Sequence, residues 1–125
     1  MTECKYLIDS SIWVSYFLSE KEEISTFIES SHEMFTPILS LFEVKRKFIR
    51  EKYNQSKIDT ALELMQRRGS FLPITWETCQ RAAELSVHHN LAAMDALIYA
   101  TAQHHKLILV TGDNDFRKLK DVRII

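Results

Sequence analysis

Two carboxylates one residue apart, Asp113 and Asp115, follow the apolar run Leu107-Ile108-Leu109-Val110 within Thr111-Gly112-Asp113-Asn114-Asp115-Phe116. Acids this close repel, and each raises the other's pKa unless a cation or a basic side chain stands between them. Gly112 is one of only two glycines in the chain. After a strand it is expected to turn the backbone through φ/ψ values closed to other residues, presenting both acids at a sheet rim. Further acids occur at comparable breaks. Asp9 ends the run Tyr6-Leu7-Ile8, Glu43 lies in Ser40-Leu41-Phe42-Glu43-Val44, and Asp95 interrupts an otherwise apolar segment. Two unit charges about 4 Å apart at an effective dielectric near 20 repel by about 4 kcal/mol. Four acids in one cleft therefore need a divalent metal or take up protons. Oxygen ligands without paired His or Cys select Mg²⁺ or Mn²⁺ over zinc. Such a site suits phosphodiester hydrolysis.

The elements that must position these acids alternate strand and helix. Tyr6-Leu7-Ile8 reads as a brief strand, and Ser10-Ser11 offers a cap for a helix carrying Ile12, Trp13, Tyr16 and Phe17. A second helix is expected around residues 22–29, with Ile24, Phe27 and Ile28 inward. Met34-Phe35-Thr36 is a strand stopped by Pro37. Ser40 then caps a helix over 41–52, with Leu41, Val44, Phe48 and Ile49 inward and Glu43 in its first turn. Ser56 caps the next helix and Gly69 ends it, before a strand at 71–74 whose proline favours an edge. Thr75 caps a helix running to His88-His89-Asn90, and a helix over 93–104 holds Asp95 in its first turn. A strand from Leu107, the acidic turn, a short helix through Lys118 and a strand at 122–125 complete the chain. Strands separated by helices predict an α/β fold, a central, mostly parallel sheet with helices on both faces. In such a sheet strand C-termini and the following helix N-termini share one rim, where Asp9, Glu43, Asp95, Asp113 and Asp115 can converge.

With 125 residues, 46% of them hydrophobic, the chain has room for one domain, 1–125, around one core. No run approaches the roughly 18 apolar residues of a membrane span. Cys4 and Cys79 lack a metal-ligand spacing, and with no export signal the chain reads as a reduced, cytoplasmic protein. A net charge of −1 gives no global field that would attract nucleic acid. Its distribution is uneven: residues 1–44 hold eight acids and two bases, whereas 45–70 hold three acids and eight bases. From Glu43, Lys47 and Arg50 lie about 40° and 20° around a helix, Arg46 about 60° and Lys45 about 160°. Lys47 and Arg50 are therefore the expected phosphate contacts, with Arg117 and Lys118 beside the acidic turn as the alternative.

Leu7-Ile8-Asp9-Ser10-Ser11, Glu43 in its Ser-Leu-Phe-Glu-Val setting, Asp95 in Met94-Asp95-Ala96-Leu97-Ile98-Tyr99-Ala100, and Val110-Thr111-Gly112-Asp113-Asn114-Asp115-Phe116 resemble, in order and spacing, the PIN domain ribonucleases. The similarity is greatest to the VapC toxins of toxin–antitoxin pairs and covers essentially the whole chain. It implies a three-layer α/β/α fold and a metal-dependent RNA endonuclease. It further implies Asp9, Glu43, Asp95 and Asp113 as catalytic, metal-binding acids, Asp115 as an auxiliary one, and Ser11 and Thr111 as supporting hydroxyls. The partners it implies are an RNA substrate, an antitoxin protein and a second copy in a homodimer.

Other readings compete. A role in RNA processing, or a catalytically inactive RNA- or protein-binding module, uses the same fold. A phosphotransferase of the haloacid dehalogenase type wants Asp-x-Asp after the first strand, where Ser11 stands instead. His88-His89 and His104-His105 flank helix ends, positions that suit terminal carbonyls better than a metal.

Overall fold

The computed structural model describes residues 4–125. Its strands are β1 (Lys5–Ile8), β2 (Glu33–Pro37), β3 (Ser70–Leu72), β4 (Ile108–Thr111) and β5 (Val122–Ile124). The helices are α1 (Ser10–Phe17), α2 (Glu22–Ile28), α3 (Ile38–Arg50), α4 (Gln55–Arg68), α5 (Trp76–His89) and α6 (Ala93–His104), and a 3-10 turn covers Asn114–Phe116. All four strand pairings are parallel, in the order β3-β2-β1-β4-β5. Winding runs outward from β1 to β3, then reverses to β4 and β5, so the switch point lies between β1 and β4. Ligands of open α/β sheets bind at such a point, beyond the carboxyl ends of the strands.

Alternation along β1 divides the core in two. Tyr6 and Ile8 join Ile12, Trp13, Ile24, Phe27, Val44 and Met65 on the face covered by α1 to α4. Leu7 points the other way, into a cluster with Leu85, Ile98, Leu109 and Phe116 under α5 and α6. Burial on both faces explains why the central strands read as continuous apolar runs. The fold is thus the expected three-layer α/β/α arrangement. β3 with its following proline is an edge strand, Thr75 caps α5 in a reciprocal capping box with Thr78, and α6 spans 93–104 as expected.

Several local expectations are corrected. Asp9, not Ser10 or Ser11, is the N-cap of α1, and Asn54, not Ser56, caps α4 by accepting from Lys57 N–H. Pro37 is at once the last residue of β2 and the N-cap of α3, its φ of −64° serving both. The helix therefore starts at Ile38, Ser40 is buried inside it with no partner for its Oγ, and Glu43 lies in the second turn. Ile49 is 55% exposed, because the outward stripe of α3 is apolar too, carrying Ile38 and Phe42. Neither glycine has a positive φ. Gly69 ends α4 with φ −130°, and a Cβ there would stand 2.9 Å from Thr36 Oγ1, so close approach rather than chirality calls for glycine. At Gly112 a Cβ would meet Ile125 O at 3.5 Å, an ordinary contact.

Candidate active site

Asp9 sits where β1 gives way to α1, only 6% exposed. An aspartate at an N-cap ordinarily accepts from the N–H groups of the first turn, yet this side chain makes no capping bond. Its Oδ2 instead takes hydrogen bonds from Ser11 Oγ at 2.9 Å and Thr111 Oγ1 at 2.8 Å. Each hydroxyl has one proton, and both are spent on the carboxylate. Their acceptor sides are filled from the backbone, Ser11 by Gly112 N–H at 3.0 Å and Thr111 by Asp113 N–H at 3.1 Å. The carboxylate, two hydroxyls and the turn after β4 thus form one network across the switch point, in which Ser11 and Thr111 both hold Asp9. Gly112 contributes an N–H rather than a special conformation.

Glu43 faces this network from α3. Ser10 Oγ donates to its Oε1 at 3.1 Å. Burial raises the Glu43 carboxyl above its usual range; the Ser10 bond pulls it down, the Asp9 charge pushes it up and Arg46 pulls it down. The sequence offers Ser10 only as a helix cap, and its contact with the Glu43 carboxylate emerges only in the fold. Nothing in the local pattern marks it, since the two residues lie 33 positions apart.

Asp95 enters from the first turn of α6, and Asp113 and Asp115 from the turn after β4. Oxygens of these three carboxylates lie within 4.8 Å of one another. Asp113 also accepts from Asp115 N–H at 2.9 Å, which locks the 3-10 turn and aims both acids to one side. Asp115 therefore belongs to the cluster itself. Burial and then the charges of Asp113, Asp9, Asp115 and Glu43 push the Asp95 carboxyl up to about 6, and no base among its neighbours pulls it back. All five sequence-predicted acids thus act on one electrostatic site.

This donor set fits a hard divalent cation. Such ions take carboxylate oxygens as ligands, and this group offers one from each of three side chains within 4.8 Å. Asp95, Asp113 and Asp115 could hold one, with the charges of Asp9 and Glu43 near enough to act on Asp95.

Of the two expected phosphate contacts, Lys47 and Arg50 both line a groove of about 650 Å³ that also holds Glu43, Ser10, Ser11 and Asp113. Lys47 Nζ is engaged with Glu51 at 3.2 Å. Arg46, placed further from the Glu43 direction by the helical wheel, lines the same groove. Arg117 turns back onto its own loop, hydrogen bonding Asn114 Oδ1. No helix among the described residues is long and apolar enough to cross a membrane, and both cysteines are free and exposed.

A search of curated proteins finds no match. Among solved structures, a toxin–antitoxin complex from Klebsiella pneumoniae superposes with a TM-score of 0.79 at 22% identity, covering 94% of this chain and 95% of that one. VapBC2 from Rickettsia felis, bound to a DNA fragment from its promoter, gives 0.80 at 15% identity, with 97% of each chain covered. Mycobacterium tuberculosis VapC20, a toxin that cleaves the sarcin-ricin loop, gives 0.76 at 16% identity over 95% and 98%. At these identities the likeness is one of fold. The sequence model of the PIN domain matches residues 6–122, from the first buried residue of β1 to the start of β5. So complete a match makes this chain a member of the PIN domain family.

Proposed function

We propose that the chain is a metal-dependent endoribonuclease, the toxin of a VapBC-type pair, working in the cytoplasm as a homodimer held inactive by an antitoxin. The observation that carries the reading is the gathering of five carboxylates around the β1–β4 switch point without a base to neutralise Asp95. A protein using these acids only as helix caps would have no reason to hold them together, because their repulsion costs stability. The antitoxin and the choice of RNA draw on what the similar structures are, two toxin–antitoxin assemblies and a toxin that cleaves the sarcin-ricin loop, and the dimer on the resemblance to VapC toxins.

In this reading Asp9, Glu43, Asp95 and Asp113, with Asp115, hold Mg²⁺ or Mn²⁺. The ion supplies Lewis-acid activation of water and charge neutralisation at the leaving oxygen. The chain's own part is preorganisation. Ser11 and Thr111 fix Asp9, and Ser10 fixes Glu43, so neither carboxylate needs to reorient as substrate arrives. The decisive experiment is expression of the chain alone alongside an Asp9→Asn variant, with cleavage of total RNA followed in Mn²⁺. Growth arrest and cleavage by the wild type, both lost in the variant, support the reading. Absence of cleavage by the wild type leaves only a binding module on the same fold, whereas equal cleavage by a folded Asp9→Asn protein takes Asp9 out of the catalytic set.

A further inference from the structure

An acidic cleft on a protein of net charge −1 repels RNA unless some wall of the cleft reverses the field. The groove at the site has such a wall. Beyond Glu43 on α3 it is lined by Arg46, Lys47 and Arg50, and across from them by Lys21, at the head of α2. The four bases are not equivalent. Lys47 and Glu51 form an i,i+4 pair at 3.2 Å, so together they present no net charge to the groove. Arg46, Arg50 and Lys21 have no ion-pair partner among the described residues. Arg46 rests over the Phe42 ring with 5.9 Å from guanidinium carbon to centroid, which steadies its stem while its donors stay free. Its charge already reaches the site, where it lowers the Glu43 carboxyl.

From Glu43, Arg46 is one helical turn and Arg50 two turns along α3, a rise of about 6 Å between the two arginines. The spacing makes a ladder leading away from the acids along one groove. Guanidinium groups suit phosphate oxygens because their planar forks donate two parallel hydrogen bonds. In the turn after β4 the guanidinium of Arg117 is tied to Asn114, and Arg117 does not line this groove.

We infer that Arg46 and Arg50, with Lys21 across the groove, bind the phosphates of the RNA strand immediately beyond the scissile position, so that substrate leaves the site along α3. This deepens the ribonuclease reading and rests on it. It replaces Lys47 by Arg46 as the partner of Arg50.

Binding is measured by fluorescence anisotropy with a labelled single-stranded oligoribonucleotide, in an Asp95→Asn background that does not cleave. Arg46→Ala with Arg50→Ala is expected to weaken binding roughly tenfold at low salt and to flatten the log K against log[salt] slope by about 1.4, two contacts at about 0.7 each. Arg46→Lys with Arg50→Lys keeps most of the slope, since charge is retained. Unchanged affinity and slope overturn the inference. So does a loss found only with Arg117→Ala and Lys118→Ala, or a variant that alters self-association without weakening RNA. Wild-type hydrolysis in Mn²⁺ of bis(p-nitrophenyl) phosphate, a substrate too small to span the ladder, tests the ribonuclease reading separately. If the wild type cleaves neither this diester nor RNA, the ribonuclease reading fails, while the anisotropy result still decides whether the arginines hold phosphates.

Discussion

Thr111 Oγ1 donates to Asp9 Oδ2 across 2.8 Å, joining the ends of the two strands between which the sheet reverses its direction of winding. The bond is buried and one partner is a carboxylate, so it belongs to the stronger class of hydrogen bonds, worth about 1.5–3 kcal/mol. Thr111→Val keeps the shape, removes this donor, and also takes the acceptor from Asp113 N–H. The variant is expected to lose about 1–3 kcal/mol in urea unfolding and to bind Mn²⁺ more weakly. An unchanged midpoint would show that Ser11 alone suffices to hold Asp9.

Asp95 sets the pH behaviour of the metal-free protein. Its folded pKa, about 6, lies above the unfolded value near 3.9. The folded state therefore binds more protons between these values, and stability falls as pH rises from about 4 through about 6, then levels off. Asp95→Asn removes the share of that slope owed to Asp95, leaving the share from the raised Glu43, so in EDTA the variant melts no lower than wild type at pH 7 and its advantage shrinks toward pH 4. Mn²⁺ is expected to reverse the wild-type trend, because an ion held by Asp95 needs the ionised carboxylate and its binding would release protons near pH 6. Calorimetry in two buffers of different ionisation enthalpy reads the release directly; none at pH 6 would remove Asp95 from the metal site.

Ser10→Ala tests the contact that sequence reading missed. The Ser10 bond lowers the Glu43 carboxyl against burial and the Asp9 charge. Without it Glu43 titrates higher, and RNA cleavage should fall more at pH 6 than at pH 8. The fold should survive, since Ser10 makes no capping bond in α1. Equal losses at both pH values would assign Ser10 a purely structural role.

Gly69→Ala tests the close approach of α4's end to β2. The new Cβ would sit 2.9 Å from Thr36 Oγ1, which is fully buried and accepts from Trp13 Nε1 at 3.2 Å. Threonine is stiff at χ1, so it yields poorly. Overpacking costs about 1–3 kcal/mol, more than the about 0.4–1 kcal/mol alanine gains through the unfolded state. A lower melting temperature with unaltered Mn²⁺ affinity is expected; a higher one would mean the strand moves aside freely.

Elements with strong local signals were legible from the residues. Thr75 announces α5, and the apolar content of 93–104 with Asp95 near its start announces α6. The strand-to-helix junctions also follow, and with them Asp9 and Asp113. What failed was decided by partners distant in sequence. α3 carries two apolar stripes, and periodicity cannot say that Val44 and Phe48 go inward while Phe42 and Ile49 face out. Pro37 reads as a strand terminator, yet its fixed φ lets β2 pass into α3 without a loop. Arg46 lies off the Glu43 direction on an ideal wheel, but α2 closes the far side of the groove and brings Arg46 into its wall.

The tie between Asp9 and Thr111 spans 102 positions of chain. Any fragment that stops short of β4 carries Asp9 and Glu43 but lacks Thr111, Asp113, Asp115 and the neighbour that covers one edge of β1. During synthesis the amino-terminal portion is thus a set of helices around an incomplete sheet, with no place for the acids to meet. Whatever the gathered acids do must therefore wait until β4 and the turn after it have emerged, a delay imposed by strand order alone.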